Sequence, residues 1–495
     1  MAEKMYLHGR REIFTDEKII TDNNIRKILS DAFSVHNVNR AEIKYLMEYE
    51  KGIQPILERQ KEFRPEINVK CLENHAAEIT SFKIGYEFGS PVTFVQRANK
   101  EINKCDSKQD DMRISALNEM MFEENKPAKD IQLARDFKVC GVGYRFVYPK
   151  KNKLGVAPFD LLVPNPMNTF VVKTNDAHKK VVLGVMYSVR TSDKTEIVGA
   201  YTEDFYYDFP NGLAGDFVKT ANLIGKIPII EYVNNYERMG CFEKVIPIMN
   251  ALNEANSDRL NDLSQHVQSL LWGDNVEIDS DQYEELRQEG MIITKSSEGR
   301  KAILQYLESV INQSETQTLV DYMYDQILQI AGVPGRKTAS GGNTGNAIML
   351  SNGWDAAETQ AKSMELIFGE SERSMLDVVL AIINNTSDID AEVKSVCVSD
   401  VVTKFSRNRT YDLSSRVNSM ATMINMGIDP LKAISIVDIF DDPQQVSVDS
   451  ADRIDKVLFS EKKENNAGTQ DEVEKVFEDK TEESVQPDKV STING

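Results

Sequence analysis

The chain has few cysteines, and none of them lie close together in the sequence. Five are spread over 495 residues: Cys71, Cys105, Cys140, Cys241 and Cys397. Because the number is odd and no CxxC pair occurs, neither a disulfide framework nor a zinc cage is indicated. Cys71 and His75 lie four residues apart, but two ligands without a second pair are a weak metal signal. We therefore expect reduced, mostly buried thiols, no metal and no cofactor.

Long apolar runs are also missing. The longest, "MLDVVLAII" at residues 375–383, is too short to cross a bilayer. The first residues, "MAEKMYLHGRREIF", lack the apolar core of a signal peptide. We therefore expect a protein that is made in the cytoplasm and has no membrane contact.

Positive charge is scarce. The chain has 58 Lys and Arg against 78 Asp and Glu, a formal net charge of -20. A protein that wraps DNA tightly needs clustered cations against the phosphates, so this composition argues against such a binder. It is compatible with a surface past which DNA slides. The densest late basic patch, Lys404, Arg407 and Arg409, is interpreted as a charged strand face or a subunit contact.

No catalytic constellation is visible, since the histidines are scattered and no nucleophile elbow occurs. The most unusual stretch is "GRKTASGGNTGNAIML", residues 335–350. A Walker loop needs GxxxxGK[ST] between a strand and a helix, but here Arg336 separates Gly335 from Lys337 and a helical pattern precedes them. We interpret the stretch as a mobile glycine-rich loop and expect no enzyme. An enzyme acting on nucleotides or nucleic acid through residues 335–346 stays as an alternative.

Apolar residues at spacings of three and four predict helices at 24–50, after Cys71 and at about 110–136. Residues 138–235 contain short β-branched and aromatic runs between turn residues, which predict strands. The expected fold class is therefore α+β and mainly helical.

Two further helices bracket a small insert. The first is predicted from about Val245 to residue 271, because Pro247 is tolerated only near a first turn. The second, to about Ile330, opens on "SETQ", in which Ser314 and Gln317 fit a capping box. The insert, residues 273–311, includes the strand candidate "AILQYL". Because a small module joins their ends, the two helices are expected to stand side by side.

The last third of the chain is predicted to be helical around one β-like stretch. A long helix is expected from about Asn346 to Asn384, with Gly353 as a candidate kink. "SVCVSDVVTKFSRNR" reads as strand, and a helical block at 411–462 is interrupted at "MGIDP". The acidic residues 463–495 are expected to be disordered.

Four stretches in this order carry a family resemblance. "GKIPIIEYVNNYERMGCFEKVIPIMNALNEANSDRLNDLSQ", residues 225–265, resembles the segment of siphophage-type phage portal proteins in which a wing strand, an Asn-rich turn and the first stem helix follow one another. "NHAAEITSFKIGYEFGSPV" and "LARDFKVCGVGYRFVY" are similar to the family's N-terminal helix and the strand after it. "KFSRNRTYDLSSRVNSM" is similar to the start of the helical crown. The shared order extends over about 400 residues.

The resemblance implies a ring subunit with wing, stem, clip and crown regions. Its boundaries here would be the wing at 1–243, stem helix 1 at 244–272, the clip at 273–311, stem helix 2 at 312–331, the tunnel loop at 332–346, a long kinked wing helix at 347–384, a wing strand segment at 385–410, the crown at 411–462 and the tail at 463–495.

The resemblance also implies a function. Such a protein forms a ring, usually of twelve subunits, at the unique vertex of the virion head, and double-stranded DNA passes through it during packaging and ejection without sequence specificity. The implied partners are the terminase motor, the head-completion adaptor, and the major capsid and scaffolding proteins. Assembly would take place in the cytoplasm of the bacterial host. A cytosolic helical scaffold that uses residues 244–271 as a partner helix remains a further alternative.

Three groups of residues are the candidate sites. The stem candidates carry carboxylates that would make a ring electronegative and keep phosphates from sticking: Glu254, Asp258, Asp262, Glu315, Asp321 and Asp325. The tunnel loop would bring loose DNA contacts: Arg336, Lys337, Thr338, Asn343 and Thr344. The clip would dock the motor or the adaptor through an acidic face: Asp279, Asp281, Glu284 and Glu285.

Overall fold

The computed structural model describes most of the chain. The described residues are 9–62, 65–97, 107–150, 157–267, 270–274, 303–307, 313–335, 353–387, 391–407 and 413–437, with a few isolated positions. They fall into two compact units, Met1–Arg407 and Asn408–Gly495.

The first unit mixes helices and strands, as predicted. Its described helices are α1 (Ile25–Glu50), α2 (His75–Phe88), α3 (Ser107–Glu123), α4 (Lys126–Cys140), α5 (Ile246–Val267), α6 (Gln313–Ala331), α7 (Trp354–Asn385) and α8 (Ala391–Lys394). Its described strands are β1 (Phe14–Thr15), β2 (Thr93–Gln96), β3 (Val142–Pro149), β4 (Phe159–Leu162), β5 (Thr169–Thr174), β6 (Val181–Val189), β7 (Glu196–Tyr201), β8 (Phe205–Phe209), β9 (Val218–Ala221), β10 (Ile229–Val233), β11 (Leu270–Asp274), β12 (Ile303–Leu307) and β13 (Val401–Lys404).

A six-stranded sheet carries α1 on one face. Its order is β1-β5-β6-β7-β8-β9, with β1 parallel to β5 and the other neighbours antiparallel. The apolar stripe of α1, including Leu29 and Phe33, packs on Phe170 and Val185. The alternation of β-branched and aromatic residues that predicted strands is therefore the buried face of this sheet.

A three-stranded sheet, β10-β3-β4, packs with α4 and α7 around a buried charged cluster. Arg145 on β3 is fully buried and bonds Glu372 of α7 at 2.9 Å and Asp130 of α4. Lys126 bonds Asp130 at 2.6 Å and Glu372 at 3.1 Å, and the Tyr232 hydroxyl donates to Glu372 at 2.8 Å. Two cations and two anions balance, which makes burial of the cluster tolerable.

The predicted helix at 110–136 is instead two helices. α3 ends at Glu123 and α4 begins at Lys126, with Asn125 between them in the left-handed region at φ 52°. Asparagine tolerates this conformation better than most residues, and Pro127 then suits the first turn of α4. The apolar period continues on both sides of the break, so periodicity did not reveal it.

The predicted end of the first bracketing helix is also wrong. α5 ends at Val267, and Leu270–Asp274 forms β11, which pairs antiparallel with β12. The start is confirmed, since a 3-10 turn at Glu243–Val245 leads into α5 and Pro247 lies in its first turn. Leu270 and Trp272 were assigned to helix because an apolar run without a turn residue fits either structure.

The C-terminal elements of the first unit are shorter than predicted. α7 begins at Trp354, and Gly353 lies before it at φ 83°, so Gly353 precedes the helix instead of kinking it. Residues 347–352 lie outside the described residues. Among the described residues 395–407 of the β-like stretch, Val401–Lys404 is strand, and it pairs with β2.

The second unit is described over two helices, α9 (Leu413–Asn425) and α10 (Pro430–Val437). The interruption between them confirms the predicted break, with Gly427 at φ 86°. The remainder of the predicted block and the acidic tail lie outside the described residues.

Candidate functional site

The two predicted bracketing helices, α5 and α6, pack side by side. Their shared core includes Met249 and Leu252 of α5 with Ile327 and Leu328 of α6, all nearly inaccessible to solvent. The expectation that a small insert joins two neighbouring helices is thereby confirmed for their packing. The insert is described only at the paired strands β11 and β12.

The predicted carboxylates of α5 lie at four-residue spacing and are not equivalent. Glu254 and Asp258 are exposed and Asp262 is half-buried. Asp258 forms an ion pair with Arg59, which comes from the segment between α1 and α2. One of the three negative charges is therefore neutralised within the chain, by a residue that the sequence pattern did not single out.

The predicted carboxylates of α6 are also distributed unevenly. Glu315 and Asp321 are exposed, whereas Asp325 is half-buried. The Gln317 side chain donates to Asp321 one turn later at 2.7 Å. The predicted capping box is wrong, because the helix already begins at Gln313 and Gln317 faces forward instead of back toward Ser314.

Both helices expose large apolar side chains beyond the shared core. On α5, Leu260 and Leu263 are 40% and 59% exposed, and on α6, Leu319 and Tyr322 are 51% and 60% exposed. Leu260 and Leu263 continue, toward the C-terminal end of α5, the apolar spacing whose earlier members Met249 and Leu252 are buried. An apolar stripe that runs past the core of its own chain is typical of a surface that another chain covers.

A second feature of α5 escaped the sequence reasoning. Asn253, Ser257 and Asn261, spaced by four, accept hydrogen bonds from the backbone N–H groups of Glu73, Cys71 and Val69 at 2.9, 2.9 and 2.6 Å. Four helical residues rise about 6 Å and two extended residues about 6.6 Å. The two spacings match, so segment 67–74, here called the strap, lies along α5. Three small polar residues at helical spacing were the available signal.

The strap leads into His75, the first residue of α2, whose two ring nitrogens contact two carboxylates. Nδ1 lies 2.8 Å from Glu78 and Nε2 lies 3.0 Å from Glu73. Cys71 is in the strap, not on α2, so it does not share a helical face with His75. The described residues contain no cluster of three or more His, Cys, Asp or Glu suited to a metal.

Of the glycine-rich stretch at residues 335–350, only Gly335 is described, and the next described residue is Gly353. Arg336, Lys337, Thr338, Asn343 and Thr344 lie outside the described residues, and so do Asp279, Asp281, Glu284 and Glu285 of the insert. The element before the stretch is the helix α6, whereas a Walker loop follows a strand. The predicted helix before the stretch is thereby confirmed. The described residues on either side of 336–352 lie close together, because a Cβ on Gly353 would stand 4.0 Å from Pro334 Cα.

Of the basic patch, Lys404 and Arg407 are described, and Arg409 lies outside the described residues. Arg407 has contacts with two helices. Its guanidinium bonds Glu358 at 2.9 Å and Glu365, both on α7, and stacks over Tyr86 of α2 at 5.5 Å. Arg407 is thus held within its own chain, where it fastens the last residues of the first unit to α7.

Cysteines and helices bear on two other expectations. Cys71, Cys140, Cys241 and Cys397 are unpaired thiols, of which Cys140 is buried and Cys397 exposed. Among the helices that the structure describes, none combines the length and the apolar character needed to span a bilayer.

Comparison with protein families gives one match over most of the chain. A family model described as phage portal protein, SPP1 Gp6-like, matches residues 31–483. A search of curated proteins finds no match. Residues 9–30, ahead of the matched range, nevertheless supply β1 and the buried side chain of Arg10.

Proposed function

Because the chain belongs to the phage portal protein family, SPP1 Gp6-like, we propose that it forms the ring at one vertex of a phage head through which double-stranded DNA enters and leaves. Members of this family are structural virion proteins, not enzymes. The ring is proposed to have twelve subunits, with α5 and α6 as its stem helices, the clip at 273–311 and the crown at 411–462.

The observation that carries this proposal is the surface of the helix pair α5 and α6. This surface exposes several carboxylates and, in addition, a stripe of apolar side chains. In a ring, Leu260, Leu263, Leu319 and Tyr322 would be covered by neighbouring copies. Glu254, Glu315 and Asp321 would then leave a negative surface that repels phosphate, so DNA passes without sticking.

The roles of the remaining regions are proposed from the resemblance to the family. Segment 332–346 is proposed as the tunnel loop, with Arg336 and Lys337 as sequence-independent phosphate contacts. The acidic residues of the clip are proposed to dock the terminase and the head-completion adaptor. Capsid and scaffolding proteins would surround the ring during assembly in the host cytoplasm.

Particle size tests the proposal directly. Twelve copies of the 55.9 kDa chain make a particle of about 670 kDa with a central hole, visible in negative stain and measurable by native mass spectrometry. A stable monomer would overturn the ring, and a dimer would favour a cytosolic scaffold instead.

A variant sharpens the test. Leu263→Glu with Tyr322→Glu puts charge into the apolar stripe and should yield folded subunits that do not close into rings. Ile19→Glu is the matched control, since Ile19 is 74% exposed and lies in the segment between β1 and α1. Rings that form equally well with all three changes would show that the stripe is not a subunit contact.

A further inference from the structure

The two ends of segment 336–352 are brought together by glycines. α6 ends at Ala331, Gly332 follows at φ +66°, and the chain leaves the described structure after Gly335. It returns at Gly353, φ +83°, next to Pro334. Only glycine adopts such φ values without strain, so this closure is built into the backbone.

One side chain of α7 lies against this closure. A Cβ placed on Gly332 would fall 2.3–2.4 Å from the amide group of Gln360, so the Gln360 side chain lies directly against this glycine. Gln360 Oε1 also accepts a hydrogen bond from Lys83 Nζ of α2 at 2.7 Å. Gln360 of α7 therefore contacts Gly332 just after α6 and accepts a hydrogen bond from Lys83 of α2.

A neutral amide is an unusual partner for a buried lysine such as Lys83. Its side chain is buried, and burial, together with the nearby Lys138 ammonium, lowers its pKa. Among the described residues Lys83 forms no ion pair; Glu87, whose charge partly offsets this effect, bonds Lys138 at 2.6 Å instead. Burying an ammonium against a neutral group costs free energy that an apolar side chain would not. The hydrogen bond to Gln360 is therefore the direct contact that holds the Lys83 ammonium.

α2 holds the other end of the segment as well. Phe82 and Tyr86 pack on Trp354, the first residue of α7, with ring centroids 5.9 and 5.8 Å apart. The Tyr86 hydroxyl donates to Glu358 at 2.7 Å. At its opposite end, α2 presents His75 to the Tyr324 ring of α6 at 4.8 Å. One face of α2 thus spans both helices that flank the segment.

We propose that Lys83 and Gln360 are positioning residues, a latch that holds the two ends of segment 336–352 together. The latch sets where the chain leaves α6 and where it enters α7. It can be measured without any ligand. Its consequence for DNA passage rests on the proposed portal function.

Trp354 gives a spectroscopic readout. The chain has two tryptophans, Trp272 in β11 and Trp354, so Trp272→Phe leaves a single reporter at the latch. In that background Lys83→Met, which keeps the chain length and removes the donor, should raise acrylamide quenching of Trp354 by about twofold. Amide exchange at 332–335 and 354–358 should accelerate about tenfold. Unchanged quenching and exchange would overturn the latch.

Two variants separate the latch from a general loss of structure. Gln360→Glu keeps both side chains and turns the neutral hydrogen bond into an ion pair, so quenching and exchange should stay at or below the parent values. Lys44→Met is the matched control, because Lys44 is an exposed lysine of α1 that pairs with Glu48 of its own helix. If Lys44→Met had the effect of Lys83→Met, the local role of Lys83 would be refuted.

Packaging assays of phage carrying Lys83→Met then test the consequence. With rings intact, DNA packaging or retention should fall while Gln360→Glu remains close to the parent. Normal packaging by a variant whose Trp354 has become accessible would overturn the role in DNA passage while the latch stands. If the parent forms no rings, the proposed function fails, whereas the fluorescence and exchange results still decide the latch.

Discussion

The backbone N–H of Val69 donates to Asn261 Oδ1 at 2.6 Å, and the Asn261 amide donates back to the Val69 carbonyl at 3.4 Å. This reciprocal pair is the last step of the ladder that fastens the strap to α5. Together with the Arg59–Asp258 ion pair, it makes the segment before α2 part of the α5 surface.

Removing the middle step of the ladder should destabilise the protein. In Ser257→Ala the Cys71 N–H loses its acceptor, and an orphaned backbone donor costs about 1 to 3 kcal/mol. Urea unfolding measures the loss, and amide exchange at Cys71 locates it. Ser264→Ala is the control, because the bond that Ser264 Oγ forms among the described residues is to the Leu260 carbonyl of its own helix. Equal losses from both variants would contradict the ladder.

Arg10 should be among the most sensitive positions of the chain. Its guanidinium bonds Glu243 at 2.6 Å and Glu42 at 3.0 Å, and all three groups are buried. Arg10→Met leaves two carboxylates without their cation, which should lower the free energy of unfolding by about 3 to 5 kcal/mol. Thermal melting measures this, with the exposed neighbour Arg11→Met as control.

A second change tests the cause of that loss. Adding Glu243→Gln to Arg10→Met removes one of the orphaned charges and should recover part of the stability. No recovery would mean that the packing of Arg10, not its charge, is what matters.

Glu231 should make the fold sensitive to acid. Burial would raise the pKa of its carboxyl, but the bidentate Arg238 at 2.7 and 2.9 Å and Lys173 at 3.0 Å outweigh it and lower the pKa to about 2. A depressed carboxyl pKa stabilises the fold above pH 4.5, and this contribution is lost as the pH falls toward 2. Glu231→Gln should therefore cost about 3 kcal/mol at pH 7 and little at pH 2 in urea unfolding. A cost independent of pH would contradict this account.

Asp136 should behave in the opposite way. Burial raises the pKa of its carboxyl to about 7, against the opposing charge of Arg135. The protonated form is favoured in the fold, so stability falls as the pH rises from about 4 through 7. Asp136→Asn should raise the free energy of unfolding at pH 9 by about 2 to 4 kcal/mol and change it little at pH 4. A variant that is less stable at pH 9 would contradict the assignment.

The proposed tunnel loop predicts a separation of assembly from DNA handling. Arg336→Gln with Lys337→Gln removes two phosphate contacts, which should alter packaging or DNA retention and leave rings intact. Ring counts in negative stain and the packaged DNA per head measure the two effects. Lys362→Gln, which removes one exposed charge from α7, is the control. Loss of rings would show that the loop is structural.

Periodicity predicted whole elements well and their ends less well. The stripe of α1 and the alternation in 138–235 reflect burial on one face, which sequence displays directly. The helix break at Asn125 and the switch to strand at Leu270 were not predicted. Both depend on packing partners from other parts of the chain, which periodicity does not report. β11 is strand because β12 lies beside it.

The candidate sites divide in the same way. The carboxylates on α5 and α6 and the family were recognised from residue types and order. The pairing of Asp258 with Arg59 joins residues 199 positions apart, and no local pattern reports such a pair. The buried Arg145 and Lys83 were missed for the same reason, since a charged residue in a helix or strand ordinarily faces water.

The sequence by itself determined most of the helical and strand regions, the absence of catalytic and metal-binding motifs, and the order of stretches that identifies the family. These follow from local spacing and residue chemistry. Only the tertiary structure decided that the strap lies on α5, that Arg10 closes a buried charge cluster, and that Lys83 meets Gln360 where segment 336–352 begins and ends. Such contacts depend on where distant backbone is placed, and burial then sets the strength of each one.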